Sequence, residues 1–223
     1  MSLKGKFARL LGGMLLKTAR VASVEAVGRG FQRLLLHGDV PTPRAGTKVQ
    51  LLLPSDEMRT YSPIAAPDGI TLLGYKHAGG PGARWMCEVK AGDNVRFAGP
   101  QRSLELPAGP VILVGDETSV AVASAFEAER PGEVHAVFQV DAIEDVHVAV
   151  GAMGLRRATV VPRGGTYDVV EAVLAARAAA PSASLALTGG SELVVAARAA
   201  LRARSLHDIK TKPYWVPGSA GLD

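Results

Sequence analysis

The sequence predicts two domains in tandem, an antiparallel β-barrel over residues 21–105 followed by an α/β domain with an open parallel sheet over residues 106–223. A short basic leader, residues 1–20, precedes them. Three observations carry this reading. Before residue 105, short β-like runs alternate with turn signals and almost no helix intervenes. After Pro107-Ala108-Gly109-Pro110, short apolar runs alternate with Ala-rich helical stretches, the texture of a parallel sheet covered on both faces. The composition, 48% hydrophobic and 21% charged over 223 residues, can build two cores and excludes wholesale disorder.

The elements follow in order. The leader carries Lys4, Lys6, Arg9, Lys17 and Arg20 around the apolar stretch Leu10–Leu16. That stretch is too short to span a bilayer and lacks a small-residue cleavage site, so neither stable membrane insertion nor secretion is expected. Val21–Val27, the turn Gly28-Arg29-Gly30 and Phe31–His37 read as a hairpin. In Lys48–Leu53, Val49, Leu51 and Leu53 alternate with Lys48 and Gln50, the period of a half-buried strand. Arg59–Ile64, Ile70–His77 and Asn94–Ala98 complete the barrel strands, and Ala83–Lys90 is its one helix. In the second half, strands are expected at Val111–Val114, Val134–Val140, Ala158–Val161 and Ser184–Leu187. Helices are expected at Ser119–Arg130, Tyr167–Ala180 and Ser191–Arg204, and a last strand carries Lys212. Ligands of such sheets bind beyond the carboxyl ends of the strands, here marked by Gly115-Asp116-Glu117-Thr118 and Thr188-Gly189-Gly190.

Several function classes drop out. A net charge of +4 with no dense basic run is not that of a nucleic-acid binder. The single cysteine, Cys87, excludes a disulfide framework, a cysteine-ligated zinc site and an iron–sulfur cluster, and a reducing cytoplasm is the expected compartment. There is no GxxxxGK[ST], HExxH, GxSxG or complete GxGxxG, and five scattered histidines show no metal-ligand spacing. A cofactor that carries the chemistry itself accounts for a chain with no evident nucleophile or metal cluster.

Arg59-Thr60-Tyr61-Ser62 is the most informative stretch. Strand alternation puts Arg59 and Tyr61 on one face and Thr60 and Ser62 on the other. The guanidinium can clamp phosphate oxygens, the phenol can lie against a planar ring, and the Ser62 hydroxyl can hydrogen-bond that ring. Further on, Tyr75-Lys76-His77 leads through Gly79, Gly80 and Gly82 into a helix with Ala83, Arg84 and Trp85. Amides at a helix start, approached closely because glycine has no side chain, bind anions such as a pyrophosphate.

Together with Gly92-Asp93, Gly99-Pro100, Gly115-Asp116-Glu117-Thr118 and a late Tyr214-Trp215 pair, this ordered set resembles the siderophore-interacting protein family. That family is the flavin-dependent branch of the ferredoxin-reductase-like superfamily. The resemblance runs from about Val21 to Gly218 and implies an FAD-binding barrel, an NAD(P)H-binding second domain and reduction of ferric siderophores with release of iron in the cytoplasm. It implies that Arg59 anchors the pyrophosphate, Tyr61 packs on the isoalloxazine, Ser62 bonds the ring, Thr118 borders the hydride path and Trp215 covers the second flavin face. It extends the cofactor-binding set to Lys76, His77, Gly189 and Tyr214. The chain departs from the family pattern at four places. Ala83 replaces a usual Ser, Val120-Ala121-Val122 replaces a segment with Pro, Gly189-Gly190 replaces Gly-Glu, and Val216 replaces Arg.

Lys48 matches a strand lysine near the family's substrate, and with Arg102 and Lys212 is expected to form a basic mouth for an anionic siderophore. Arg163, after the strand Ala158–Val161, stands where superfamily members hold the 2′-phosphate of NADPH, and bidentate phosphate recognition suits Arg. Asp141, ending the preceding strand, speaks for NADH instead. NADPH is the expected donor on Arg163. Two other readings fit the same residues: a reductase serving a ferredoxin or flavodoxin, and a non-enzymatic flavoprotein that has lost nicotinamide binding.

Overall fold

A computed structural model of the chain describes residues 16–76, 79–164 and 166–218. Most of the expected leader therefore lies outside the described residues, but its last part does not: Lys17–Arg20 already belong to the first strand. The chain divides into two compact units, the first ending at Ser103 and the second starting at Leu104.

The first unit contains β1 (Lys17–Val27), β2 (Phe31–Gly38), β3 (Thr47–Leu52), β4 (Met58–Tyr61), β5 (Pro63–Ala66), β6 (Gly69–Tyr75), the helix α1 (Pro81–Glu88) and β7 (Asn94–Arg102). Its seven-stranded antiparallel sheet runs β4-β3-β7-β1-β2-β6-β5. The two edges, β4 and β5, are separated in the chain by Ser62 alone, so the sheet curls until its edges meet, barrel-like but without a closing ladder. This divides what the sequence suggested was one strand, Arg59–Ile64. β4 pairs with β3 whereas β5 pairs with β6, and Pro63, with no N–H to give to a ladder, stands at the change of partner. Alternating Val49 and Leu51 point inward with Leu34, Leu36, Ile70, Leu72 and Phe97. Trp85 and Met86 of α1 join the same core, and Met86 lies on Gly74, where any β-carbon would come within 2.5 Å of its methyl.

The second unit contains β8 (Val111–Gly115), a 3-10 turn over Glu117–Ser119, α2 (Val120–Glu129), β9 (Val134–Val140), α3 (Ile143–Ala152), β10 (Ala158–Pro162), α4 (Thr166–Ala179), β11 (Ser184–Gly190), α5 (Ser191–Ala203) and β12 (Ile209–Trp215). Its five strands are all parallel in the order β10-β9-β8-β11-β12. Ile112, Val114, Val137, Leu185 and Leu187 face α4 and α5 through Val169, Val173, Val194, Ala197 and Leu201. Leu113, Ala136 and Phe138 alternate to the other face and are fully buried too, so both faces are covered. Helix α3 has no counterpart in the sequence reading. Its buried stripe is only Val146 and Ala149, too narrow to register as a periodic face.

Counted along this unit, the strand order is third, second, first, fourth, fifth. The strand order reverses between β8 and β11, and the carboxyl ends of those strands flank the crevice in which such sheets take ligands. Among the described residues no helix is long and apolar enough to cross a membrane.

Candidate functional site

The first unit assembles its candidate site where β4 meets the start of α1. Arg59 and Tyr61 project to the same side, as alternation requires, and both reach Gly82 in the first turn of the helix. A β-carbon at Gly82 would stand 3.0 Å from the Tyr61 hydroxyl and 3.5 Å from Arg59 Cγ. Glycine thus keeps open a cradle walled by an arginine and a tyrosine. The turn that enters the helix is shaped by Gly79 at φ +94°, and the Arg84 guanidinium braces it by donating to the Gly79 carbonyl at 2.8 Å. Gly80 is the N-cap without a side-chain cap, and Pro81 has no N–H. The N–H of Arg84 bonds the Gly80 carbonyl at 3.0 Å, while the amides of Gly82 and Ala83 have no acceptor within the helix by its geometry.

Arg59 is already placed. It donates to the Met58 carbonyl at 2.8 Å and to Glu57 Oε1 at 3.0 Å, and Glu57 is steadied in turn by the Ser55 hydroxyl at 3.0 Å. Glu57 escaped the sequence reading, although its place two residues before Arg59 is a readable sign of a same-side partner. A guanidinium has five N–H donors, so most of the fork remains for a ligand. Burial pushes the Tyr61 phenol well above its ordinary range, with Arg59 pulling the other way, so it stays protonated and able to donate. Thr60 is exposed on the opposite face and Ser62 is half-buried at the change of strand partner. Trp85, expected at the cofactor, is a core residue 8% exposed, its ring 6.1 Å from that of Tyr61. Lys76 closes the hairpin through its backbone N–H on the Gly30 carbonyl, 2.7 Å. His77 lies outside the described residues.

In the second unit, Gly115-Asp116-Glu117-Thr118 leaves β8 at the crevice. Asp116 is 0% exposed, and its carboxylate accepts four hydrogen bonds: from Thr118 N (2.9 Å) and Oγ1 (2.5 Å), Gly190 N (2.7 Å) and Trp215 Nε1 (2.8 Å). One side chain thereby ties the ends of β8, β11 and β12. The glycines make room for it. A β-carbon at Gly189, where φ is +91°, would lie 2.6 Å from Asp116 Cγ. One at Gly190 would lie 2.7 Å from Trp215 Cζ2. A side chain at 190 would therefore meet the Trp215 indole in this fold. Behind it, the Thr188 hydroxyl donates to Ser119 Oγ at 2.8 Å, and a β-carbon at Gly115 would strike Ser119.

Glu117 is equally committed. Its Oε1 accepts the Asp141 N–H at 2.7 Å and its Oε2 the Arg163 Nη2 at 3.0 Å, while Arg163 Nε donates to Asp141 Oδ2 at 2.6 Å. Burial alone would lower the Arg163 pKa. The Asp141 hydrogen bond and the charges of Glu117, Asp141 and Asp116 overcome that effect and hold the guanidinium above its ordinary value. Arg163 and Asp141, which pull toward different dinucleotides in the sequence, are joined in the fold.

Of the residues expected to form a basic mouth, Lys48 and Arg102 lie in the first unit and Lys212 in the second. Lys48 stands opposite Gln101, and Arg102 opposite Thr47, across β3 and β7. Directly opposed residues share a face, so Lys48 and Arg102 project to opposite faces of the sheet. A bulge between Lys48 and Gln50 adjoins Gly99, where φ is +110° and a β-carbon would lie 2.8 Å from the Lys48 carbonyl. Lys212 pairs with Thr188 on β12, and Tyr214 is half-buried on the same strand.

No protein-family model matches the chain, and no curated protein does. Solved structures do. The siderophore-interacting protein SipS from Aeromonas hydrophila aligns with a TM-score of 0.72 and 24% identity over 92% of this chain and 93% of that one. A siderophore utilization protein from T. fusca aligns at 0.66 and 22% over 93% and 95%. The Amycolatopsis cytochrome P450 reductase GcoB aligns at 0.68 and 26%, covering 92% of this chain and 71% of its own. The chain thus has the ferredoxin-reductase-like fold, a barrel-like antiparallel unit followed by a parallel α/β unit, and it resembles the siderophore-interacting proteins over more than nine-tenths of its length.

Proposed function

We propose that the chain is an FAD-dependent oxidoreductase that takes electrons from NADH or NADPH and reduces ferric siderophores, freeing iron in the cytoplasm. The observation that carries the flavin reading is the Arg59–Tyr61–Gly82 cradle. It offers a pre-placed guanidinium, a protonated phenol and helix-start amides around a gap that any side chain at 82 would fill. Those donors fit a pyrophosphate. The missing hydroxyl at Ala83 removes one donor without removing its amide.

When bound, FAD would supply the redox chemistry, accepting two electrons from the nicotinamide and releasing them singly to iron. The chain's own residues then have modest tasks. Arg59 and the amides of Gly82 and Ala83 neutralise and orient the phosphates. Tyr61 would pack against the ring system and Ser62 would hydrogen-bond it. Thr118, held by Asp116, borders the nicotinamide approach. Trp215, anchored through its indole N–H, keeps a fixed aromatic plane available. Lys48 attracts an anionic ferric complex. No general base is required of the protein.

Purification with saturating FAD followed by an absorbance scan tests the flavin step, and Arg59→Ala should lose most of the flavin. Full occupancy in that variant would overturn the cradle. Anaerobic addition of NADH or NADPH should then bleach the flavin, and a ferric siderophore should restore its colour. A second reading, reduction of a protein electron acceptor, has two observations in its favour: the similarity to GcoB and the placement of Lys48 and Arg102 on opposite faces. Reduction of a ferredoxin but not of ferric complexes would select it.

A further inference from the structure

We infer that the second unit recognises the ribose of an adenine dinucleotide lacking a 2′-phosphate, with Asp141 as the selecting residue and Arg163 as its positioning partner. This rests on the reading that the unit binds a nicotinamide dinucleotide, and it decides between the two donors.

The argument starts from topology. In an open parallel sheet of this order, the adenosine half of a dinucleotide lies over the carboxyl end of the strand beside the first, here β9, and an acidic residue there accepts from the ribose hydroxyls. Asp141 is the residue that follows β9. Its position is fixed from two sides. Its N–H is held by Glu117 Oε1 at 2.7 Å, and the Arg163 N–H, on the neighbouring strand end, holds the Val140 carbonyl at 2.9 Å.

The second step concerns what Arg163 is free to do. A guanidinium that draws in a 2′-phosphate needs positive charge that buried carboxylates have not already claimed. Arg163 spends Nε on Asp141 Oδ2 and Nη2 on Glu117 Oε2, and the Glu117 side chain is only 4% exposed. Withdrawing the guanidinium would strand that buried carboxylate, at a cost larger than an exposed phosphate contact returns.

The third step is charge. One guanidinium faces two carboxylates, so the cluster carries a formal charge of −1, and buried Asp116 adds to the negative field. Asp141 is the solvent-facing member, with its side chain 67% exposed, and its Oδ1 makes no hydrogen bond among the described residues. A carboxylate placed there accepts from a neutral diol and repels a phosphate.

The test uses the purified flavin-loaded protein and two fragments that carry the whole difference, adenosine 5′-monophosphate and its 2′-phosphorylated form, adenosine 2′,5′-bisphosphate. Their dissociation constants are measured by calorimetry in wild type and in Asp141→Asn. The expected result is tighter binding of the monophosphate by about tenfold or more in wild type, with the ratio collapsing toward one in the variant. Tighter binding of the bisphosphate by wild type overturns the inference and leaves dinucleotide binding in place. An unchanged ratio in Asp141→Asn removes Asp141 from the role. Binding of neither fragment also overturns the inference, and anaerobic bleaching by the intact dinucleotides shows whether the nicotinamide reading falls with it: no bleaching by either NADH or NADPH ends both.

Discussion

The two candidate clusters, one in each unit, are built on opposite principles. At the start of α1, Arg59 and the first-turn amides present more donors than the protein uses, around a gap that Gly82 leaves open. At the end of β8, the carboxylates of Asp116 and Glu117 are consumed by the protein's own donors, four hydrogen bonds on one and two on the other. An excess of donors beside a glycine is the arrangement an anion site requires. A satisfied buried carboxylate is a clasp. The same kind of short, glycine-marked motif therefore does different work in the two units, and what tells them apart is whether the neighbouring polar groups balance.

The largest expected effect follows from breaking the clasp. Asp116→Ala would leave the N–H groups of Gly190, Thr118 and Trp215 without their acceptor. At about 1–3 kcal/mol for each buried donor left unpaired, partly relieved by entering water, the second unit should lose roughly 3–5 kcal/mol. Urea denaturation followed by Trp215 fluorescence would read it. A loss below about 1 kcal/mol would mean that the clasp is ornamental and that the contrast between the clusters does not hold.

Filling the cradle should do the reverse, sparing the fold and removing the ligand. Gly82→Val places branched carbon against the Tyr61 hydroxyl, where even a single β-carbon stands at 3.0 Å. FAD affinity should fall by more than about tenfold, or roughly 1.4 kcal/mol, with little change in the unfolding midpoint. Normal flavin content in this variant would move the cofactor elsewhere. A smaller effect is expected at Lys48, on β3 of the first unit. Lys48→Ala should slow reduction of an anionic ferric complex a few-fold at low ionic strength and leave flavin content unchanged. The difference should vanish as salt shortens the screening length to about 8 Å or less. Wild-type rates at low salt would favour the protein-acceptor reading.

How much of this the sequence disclosed depended on whether the information was local. Alternation in Lys48–Leu53 and the turn chemistry around Gly28 are local, and both hairpin and strand stand close to where they were expected. So does the pairing of Arg59 with Tyr61 on one side of β4, which needs only a two-residue period. The break at Ser62 is not local. It exists because the sheet curls and the chain must change partners, which nothing in Arg59–Ile64 except Pro63 betrays. Likewise, Gly115–Thr118 was legible as a strand-end motif. Its partners at Gly190 and Trp215 are 74 and 99 residues away, and only the order of the parallel strands brings them within reach. Arg163 is the instructive case. Read alone, it looks like a phosphate ligand. In the fold it also bonds Asp141 and Glu117, the latter 46 residues earlier in the chain, a pairing that sequence spacing does not announce.

The smallest effect tests the contrast at the other end of the same sheet. His135 enters β9 opposite Ile112, away from the carboxylates that crowd the strand ends. Burial lowers its pKa below the ordinary value, and the nearby Arg157 charge lowers it further. Native His135 is therefore neutral where the unfolded chain begins to take up a proton. Stability from this group is complete above about pH 6.5 and declines as the pH falls toward the native value, because the unfolded state then binds the extra proton. His135→Gln should remove that dependence. The stability of wild type relative to the variant should fall between pH 7 and pH 5, by a modest amount because the ring is only half-buried. Denaturant midpoints at several pH values in that window would measure it. A difference that stays constant across the window would remove His135 as a source of pH dependence.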